Sequence, residues 1–192
     1  MCSEITLVDG DLAGCSKGPI GDPLSYVPSV WSGLIETFEP QSILDLGCGL
    51  GYSLLWFRDR GIEACGLDGS SLVLREAITP VDFWDARTPV PYDTPCWDLC
   101  WCSEFVEHLD ERYVSHILDM FRHAHFVAMT AGYPGQRGHH HVNCQPRSYW
   151  INAMESSGFL YLSTVTNWLR AIANEAHPWS YFGTTGMVFE RC

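Results

Sequence analysis

Lysine is almost absent from this chain: Lys17 is the only one among eleven basic residues, set against 23 acidic ones, and the formal net charge is −12. A surface that is acidic on average repels phosphate backbones and anionic membranes, which argues against a long nucleic-acid footprint. Paired C-x-x-C spacings are also missing. The nine cysteines, at 2, 15, 48, 65, 96, 100, 102, 144 and 192, are odd in number and scattered, and they read as free thiols in a reducing compartment. No window approaches the apolar length needed to span a bilayer, and the opening stretch MCSEITLVDGDLAG has neither the basic nor the apolar segment of a secretory signal. A soluble, cytoplasmic protein without a membrane partner is expected. No fixed-period repeat and no low-complexity segment occurs.

What the chain has in quantity is apolar sequence. With 46% hydrophobic and 13% aromatic residues over 192 positions it can bury the core of one domain, and it is short for two. Gly and Pro punctuate 10–23 (GDLAGCSKGPIGDP), so residues 1–28 are expected to form an arm or lid ahead of a domain over 29–192. Val30, Trp31, Leu34, Ile35 and Phe38 recur at helical spacing before Pro40. Ser42 to Leu46 is a short apolar strand followed at once by GCGLG, and Leu54, Leu55 and Phe57 then mark a helix ending near Gly61. Further strands are expected at 63–67, 81–84, 97–102, 125–130, 159–164 and 186–190, with helices over 70–77, 111–124 and 148–156. Such alternation specifies an α/β fold whose mostly parallel, seven-stranded sheet carries helices on both faces. Ligands in these sheets bind beyond the carboxyl ends of the strands, near the point where strand order reverses. Gly47 to Gly51, Asp68, Asp85, the segment SEFVEH at 103–108 and a loop from Ala131 to Pro146 with three consecutive histidines all fall at such ends.

The run Leu44-Asp45-Leu46-Gly47-Cys48-Gly49-Leu50-Gly51 permits tight backbone geometry and close approach of a ligand. Its third glycine comes one residue early for the dinucleotide G-x-G-x-x-G fingerprint. Asp45 at the strand tip opposes a pyrophosphate but suits a cationic amine, and Asp68 can accept from two ribose hydroxyls. LDLGCGLG resembles the first motif of the class I S-adenosylmethionine-dependent methyltransferases, and the resemblance runs from Trp31 to Arg191. It implies a single Rossmann-like domain with S-adenosyl-L-methionine as cofactor. By that resemblance the turn of Gly47, Cys48, Gly49 and Gly51 passes under the methionine part. Asp68, with Gly69 beside it, takes the ribose, Asp85 and the Ala86 backbone address the adenine edge, and Cys102 and Ser103 lie near the reactive methyl.

In SEFVEH, a helical turn would place Glu104, Glu107 and His108 at i, i+3 and i+4 on one face. Two carboxylates and an imidazole there make a divalent-metal half-site, and oxygen-rich ligation favours Mg²⁺ or Mn²⁺. The E-x-x-E-H spacing is similar to that of the small-RNA 3′-terminal 2′-O-methyltransferases and of the O-methyltransferases of ubiquinone biosynthesis. In the former a histidine after strand five completes the site, which here implies His139, His140 or His141. Other methyltransferases resembling this chain use such a segment without metal, the glutamate capping backbone amides and the histidine facing the acceptor. His141 is the favoured base or ligand, with His108 beside it, because an imidazole titrates where it can take a hydroxyl proton near neutral pH. Tyr26, Trp84, Tyr133, Tyr149 and Trp150 are candidate walls of an acceptor pocket. The expectation is an O-methyltransferase acting on a small-molecule or glycan acceptor. Its rivals are metal-dependent 2′-O-methylation of an RNA end and a catalytically silent cofactor-binding subunit.

Overall fold

A computed structural model describes residues 20–192 together with a short antiparallel strand pair, Ile5–Thr6 against Cys15–Ser16. The expected arm therefore falls largely outside the described residues, Lys17 included. The sheet holds β1 (Ser42–Leu46), β2 (Glu63–Asp68), β3 (Asp82–Phe83), β4 (Trp97–Cys102), β5 (Ala124–Met129), β6 (Phe159–Tyr161) and β7 (Met187–Arg191). Its order is β3-β2-β1-β4-β5-β7-β6. Only β7 is antiparallel to its neighbours, pairing Val127 with Phe189 on one side and Tyr161 with Phe189 on the other. Strand order reverses between β1 and β4, so the loops leaving these two strands part and open a crevice at their carboxyl ends.

Period-two alternation sorts the strand residues between two helical layers. Leu44, Leu46, Cys100, Cys102, Val127 and Met129 face α4 (Val114–Phe121) and α5 (Arg147–Ser156). Ile43, Leu99, Trp101 and Ala128 face the other layer, of α1 (Pro28–Phe38), α2 (Tyr52–Arg58) and α6 (Ser163–Ala176). The short helices α3 (Ser71–Glu76) and α7 (Tyr181–Thr185) both start on a serine whose hydroxyl accepts a backbone N–H of the first turn, Ser70 from Val73 and Ser180 from Gly183.

Three expectations change. The strand expected at 159–164 stops at Tyr161, and the segment STVTNWLRAIANEA is a 14-residue helix. Its β-branched start reads as strand in isolation, but packing decides: Thr166, Leu169 and Ala173 are buried against α1. A Cβ on Gly33 would come within 2.5 Å of Leu169 Cδ2, so this glycine sets the closeness of the two helices. The helix expected over 111–124 begins as a 3₁₀ turn at Glu111–Tyr113 and ends at Phe121, because Ala124 already pairs with Trp97. SEFVEH is no α-helix: a single 3₁₀ turn, Val106–His108, follows Glu104 at φ +50°.

Candidate active site

A cavity of about 310 Å³ opens at the crevice, walled on one side by Asp45, Gly47, Cys48, Gly49 and Asp68 and on the other by residues after β4 and β5. The glycine turn is a backbone device. Gly47, Gly49 and Gly51 all take left-handed φ, at +76°, +52° and +87°, where side chains are strained. Gly47 N–H donates to Leu67 O at 2.8 Å, and the Asp68 carboxylate accepts the N–H of Gly49 at 3.0 Å and of Ser70 at 2.8 Å. The tips of β1 and β2 are thereby stitched together. A Cβ on Gly47 would meet the Phe105 ring at 2.4 Å, whereas one on Gly49 meets nothing within 4 Å and would fill the cradle.

Asp45 is 2% exposed and accepts the Ser53 hydroxyl. Burial pushes its carboxyl up to about 7; the Ser53 hydrogen bond opposes this and the charge of Asp68 adds to it. A cationic amine in the cavity would return it to the charged form. Ser103 also lines the cavity, but Cys102 is fully buried and faces the α4–α5 layer, as its place two residues after Cys100 requires. Trp101, on the opposite face of β4, lines the cavity in its place. Gly51, Gly69, Asp85 and Ala86 also lie outside the wall. Gly51 lets α2 approach Thr79, whose Cγ2 would sit 2.6 Å from an added Cβ, and Gly69 passes close to Trp84 O. Asp85 is held by Arg87 through an ion pair at 2.7 Å and by the Arg87 N–H at 3.0 Å, which keeps its carboxyl below the usual range.

The wall after β4 and β5 carries half-buried ionisable groups, Glu104, His108, His139 and His141, with the fully buried Glu107 off the wall. Glu104 takes its left-handed backbone while its N–H donates to Thr130 Oγ1 at 2.8 Å, and its carboxylate accepts that hydroxyl at 2.9 Å and Gln136 Nε2 at 3.0 Å. Glu107 is fully buried, and neither carboxylate oxygen meets a hydrogen-bond partner. Burial, and next the charge of Glu104, raise it well above the usual carboxylate range. Its backbone carbonyl accepts the N–H of both Val142 and Asn143 at 3.0 Å, pinning the histidine loop onto the turn. The His108 and His141 rings meet edge to face with centroids 5.0 Å apart. Burial, then the nearby His141, lowers His108 to about 4, and burial lowers His141 as well. His139 also lines the cavity, while His140 is exposed.

Residues 44–124 match the family model described as a methyltransferase domain. The chain thus carries a methyltransferase domain over the glycine turn, Asp68 and the 103–108 segment. No curated protein matches it. Among solved structures, the chain resembles an S-adenosylmethionine-dependent methyltransferase from Archaeoglobus fulgidus, at TM-score 0.58 and 19% identity over 84% of this chain and 90% of that one. It also resembles the methyltransferase domain of bacterial CtHen1, at 0.59 and 18% over 85% and 96%. The plantazolicin methyltransferase BpumL, solved with a pentazolic desmethylPZN analog and SAH, gives 0.60 and 12% over 85% and 82%. At these identities the likeness is one of fold.

The glycine-turn side of the cavity has the chemistry to fit S-adenosylmethionine: a buried acid suited to an amine, an acid at the β2 tip suited to hydroxyls, and a glycine cradle that a Cβ would fill. A divalent cation fits less well. Glu104, Glu107, His108 and His141 are neighbours of suitable chemistry, yet among the described residues no three His, Cys, Asp or Glu side chains converge as a metal group. The reason is local: the Glu104 carboxylate is committed to Thr130 and Gln136.

Sequence reasoning missed Asp22 and Ser25 before α1, Gln136 and Arg137 in the loop, and Tyr181 at the start of α7, all of which line the cavity. Tyr181 N–H donates to Leu24 O at 3.1 Å, so α7 holds the segment before α1 in place. Burial raises the Tyr181 phenol, and Asp22 and Glu104 raise it further. Gln136 and Arg137 lay in a stretch already singled out, the histidine loop, and Asp22 and Ser25 in the expected arm. Of the aromatic candidates Tyr26 lines this cavity, Trp84 is core, Tyr149 packs on the core, and Tyr133 and Trp150 border a different cavity.

Proposed function

We propose that the enzyme methylates a hydroxyl oxygen of a small-molecule or saccharide-like acceptor, with His141 as the base. The observation that carries this reading is the pair of His108 and His141 on the cavity wall, both held toward the neutral form. His141 is the less buried of the two and keeps more of its basicity. His108, beside it, fixes its ring and stays neutral, which leaves room for one positive charge as the proton arrives.

When bound, the cofactor supplies a methyl group already activated on a sulfonium. Asp45 holds the amine, Asp68 the ribose hydroxyls, and Gly47 to Gly51 the chain between them. Ala86, off the cavity wall with its carbonyl 3.1 Å from His116 Nδ1, and Asp85, paired with Arg87, take no part in this reading. His141 takes the acceptor's proton as the oxygen–carbon bond forms and the carbon–sulfur bond breaks, so the sulfur leaves neutral. The segment before α1 covers the cavity; Asp22, Ser25 and Tyr26 on the wall support a lid role for residues 1–28 over the domain at 29–192. This chemistry runs without a metal, and the free thiols suit a reducing cytoplasm. The acidic balance favours a neutral or cationic acceptor over a polyanion.

A screen of labelled methyl transfer to saccharides, phenols and short RNAs, with the product bond identified by mass spectrometry, tests this reading. Transfer to a hydroxyl, unchanged by chelator, is expected. Activity confined to RNA ends, a product methylated on nitrogen or carbon, or activity that Mn²⁺ titration restores after chelation would each overturn it.

A further inference from the structure

The histidine loop meets the cavity through Gln136, a residue whose four polar atoms all have partners. Tyr133-Pro134-Gly135-Gln136 is a tight turn: proline fixes its second position, Gly135 takes φ +86° at its third, and Gln136 N–H donates to Tyr133 O at 2.9 Å. The Gln136 side chain then binds in two directions. Its Nε2 donates to Glu104 Oε2 at 3.0 Å, and its Oε1 accepts Tyr133 N–H at 3.1 Å. An ionised carboxylate only accepts and a backbone N–H only donates, so the amide has a single orientation. Glu104 is a firm anchor, because its other oxygen accepts the hydroxyl of the fully buried Thr130.

The Gln136 carbonyl is turned the other way, onto Cys144 and His141. Cys144 Sγ donates to that oxygen at 3.8 Å and lies 3.6 Å from His141 Nδ1, so the three groups meet at one point. The carbonyl also accepts a hydrogen bond from the His141 ring, which works against the lowering by burial. Burial keeps the Cys144 thiol protonated and its proton goes to Gln136, so Nδ1 has to donate. At the far end of the ring, a Cβ on Gly138 would lie 2.1 Å from Nε2, and the bare glycine gives that nitrogen its room on the cavity wall.

We propose that Gln136 is a positioning residue for the base: anchored through its amide on Glu104 and Tyr133, it holds its carbonyl against His141, so that the ring keeps its proton on Nδ1 and offers Nε2 to the acceptor. The proposal rests on the reading of His141 as the base. Which nitrogen of a histidine is free is set by the hydrogen bond the other one makes, and a free imidazole prefers its proton on Nε2, the wrong place for a base that works from that end. As Nε2 takes the proton the ring becomes cationic, and the Nδ1–H bond to the carbonyl strengthens while keeping the ring from turning. Glu104 thus acts on His141 at one remove, through Gln136, and its commitment to Thr130 and Gln136 keeps that chain in place.

The test uses the intact protein with ¹⁵N-labelled histidine, the His141 ring being assigned by its loss in His141→Gln. Two-bond ¹H–¹⁵N spectra at alkaline pH, where the ring is neutral, should show Nδ1 protonated and Nε2 bare. In Gln136→Ala and in Glu104→Gln, which release the amide from either side, the pattern should shift toward the Nε2–H form. Gln136→Ala should also lower kcat by about tenfold or more at nearly constant KM. Calorimetry with S-adenosylmethionine should be as in the parent, which shows the fold and the cofactor site intact. Methyl transfer that survives His141→Gln would overturn the base reading and the catalytic role of Gln136 with it, whereas the spectra judge the hold of Gln136 on the ring separately. An Nε2–H ring in the parent, or an Nδ1–H pattern unchanged in both variants, would overturn the proposal itself.

Discussion

The glycine turn after β1 and the Glu104–His108 turn after β4 close on one cavity, yet they are made differently. The first is backbone: three left-handed glycines and two carboxylates, with Asp68 holding the chain of the turn itself. The second is side chain: the buried Glu107 and the half-buried Glu104, His108 and His141, kept by contacts from a loop some thirty residues downstream. The first can bind a common cofactor because its geometry tolerates almost no variation. The second can be specialised, because each group's charge is set by its neighbours.

The sharpest way to break this contrast is Gly47→Val. A Cβ there is both strained at φ +76° and 2.4 Å from Phe105, so calorimetric cofactor binding should vanish and stability should fall by several kcal/mol. Binding as in the unmodified protein would show that the turn is not a backbone device.

Asp45→Asn probes the one ionisable group buried on the glycine side. A carboxyl raised from 3.8 to about 7 on folding holds a proton that the unfolded chain releases, so its contribution to stability declines as pH rises from about 4 to about 7. His108, lowered to about 4, acts in the opposite sense between about 4 and 6.5 and cancels in a comparison of the two proteins. Without cofactor, Asp45→Asn should therefore gain on the parent across that window, by up to roughly 4 kcal/mol in urea unfolding. Added S-adenosylmethionine should reverse the ranking, since its amine restores the charge. A difference flat with pH would remove Asp45 from this role.

On the side-chain wall, His141→Ala should lower kcat by about 100-fold with little change in cofactor affinity, and the alkaline-rising limb of the pH–rate profile should disappear. An equal loss in His108→Ala, with that limb kept in His141→Ala, would exchange the two roles. The smallest effect is a control. Gly61 has nearly the same φ, +77°, with nothing within 4 Å of an added Cβ, so Gly61→Ala should cost about 1 kcal/mol of thermal stability and leave cofactor binding untouched.

Much of the first wall was legible because short-range rules govern it. Glycines one residue apart after an apolar strand dictate a left-handed turn, and Asp45 and Asp68 lie at strand ends wherever the strands are drawn. The failures all involve residues distant in sequence or a choice among local conformations. Cys102 faces the core because alternation follows Cys100. Asp85 is taken by Arg87 two residues on. Thr164 to Thr166 became helix because Gly33 of α1 admits Leu169. Tyr181 and Asp22 reach the cavity only through the way α7 packs on the segment before α1.

By itself the sequence determined the alternating strands and helices, the glycine turn and the two acids suited to the cofactor, because strand periodicity and glycine φ are properties of a few adjacent residues. Only the tertiary structure decided that SEFVEH ends in a 3₁₀ turn rather than a helix, that Glu104 is spent on Thr130 and Gln136, and that burial shifts His108 and His141 toward the neutral form. Those outcomes depend on burial and on partners from other strands, and no local pattern carries that information.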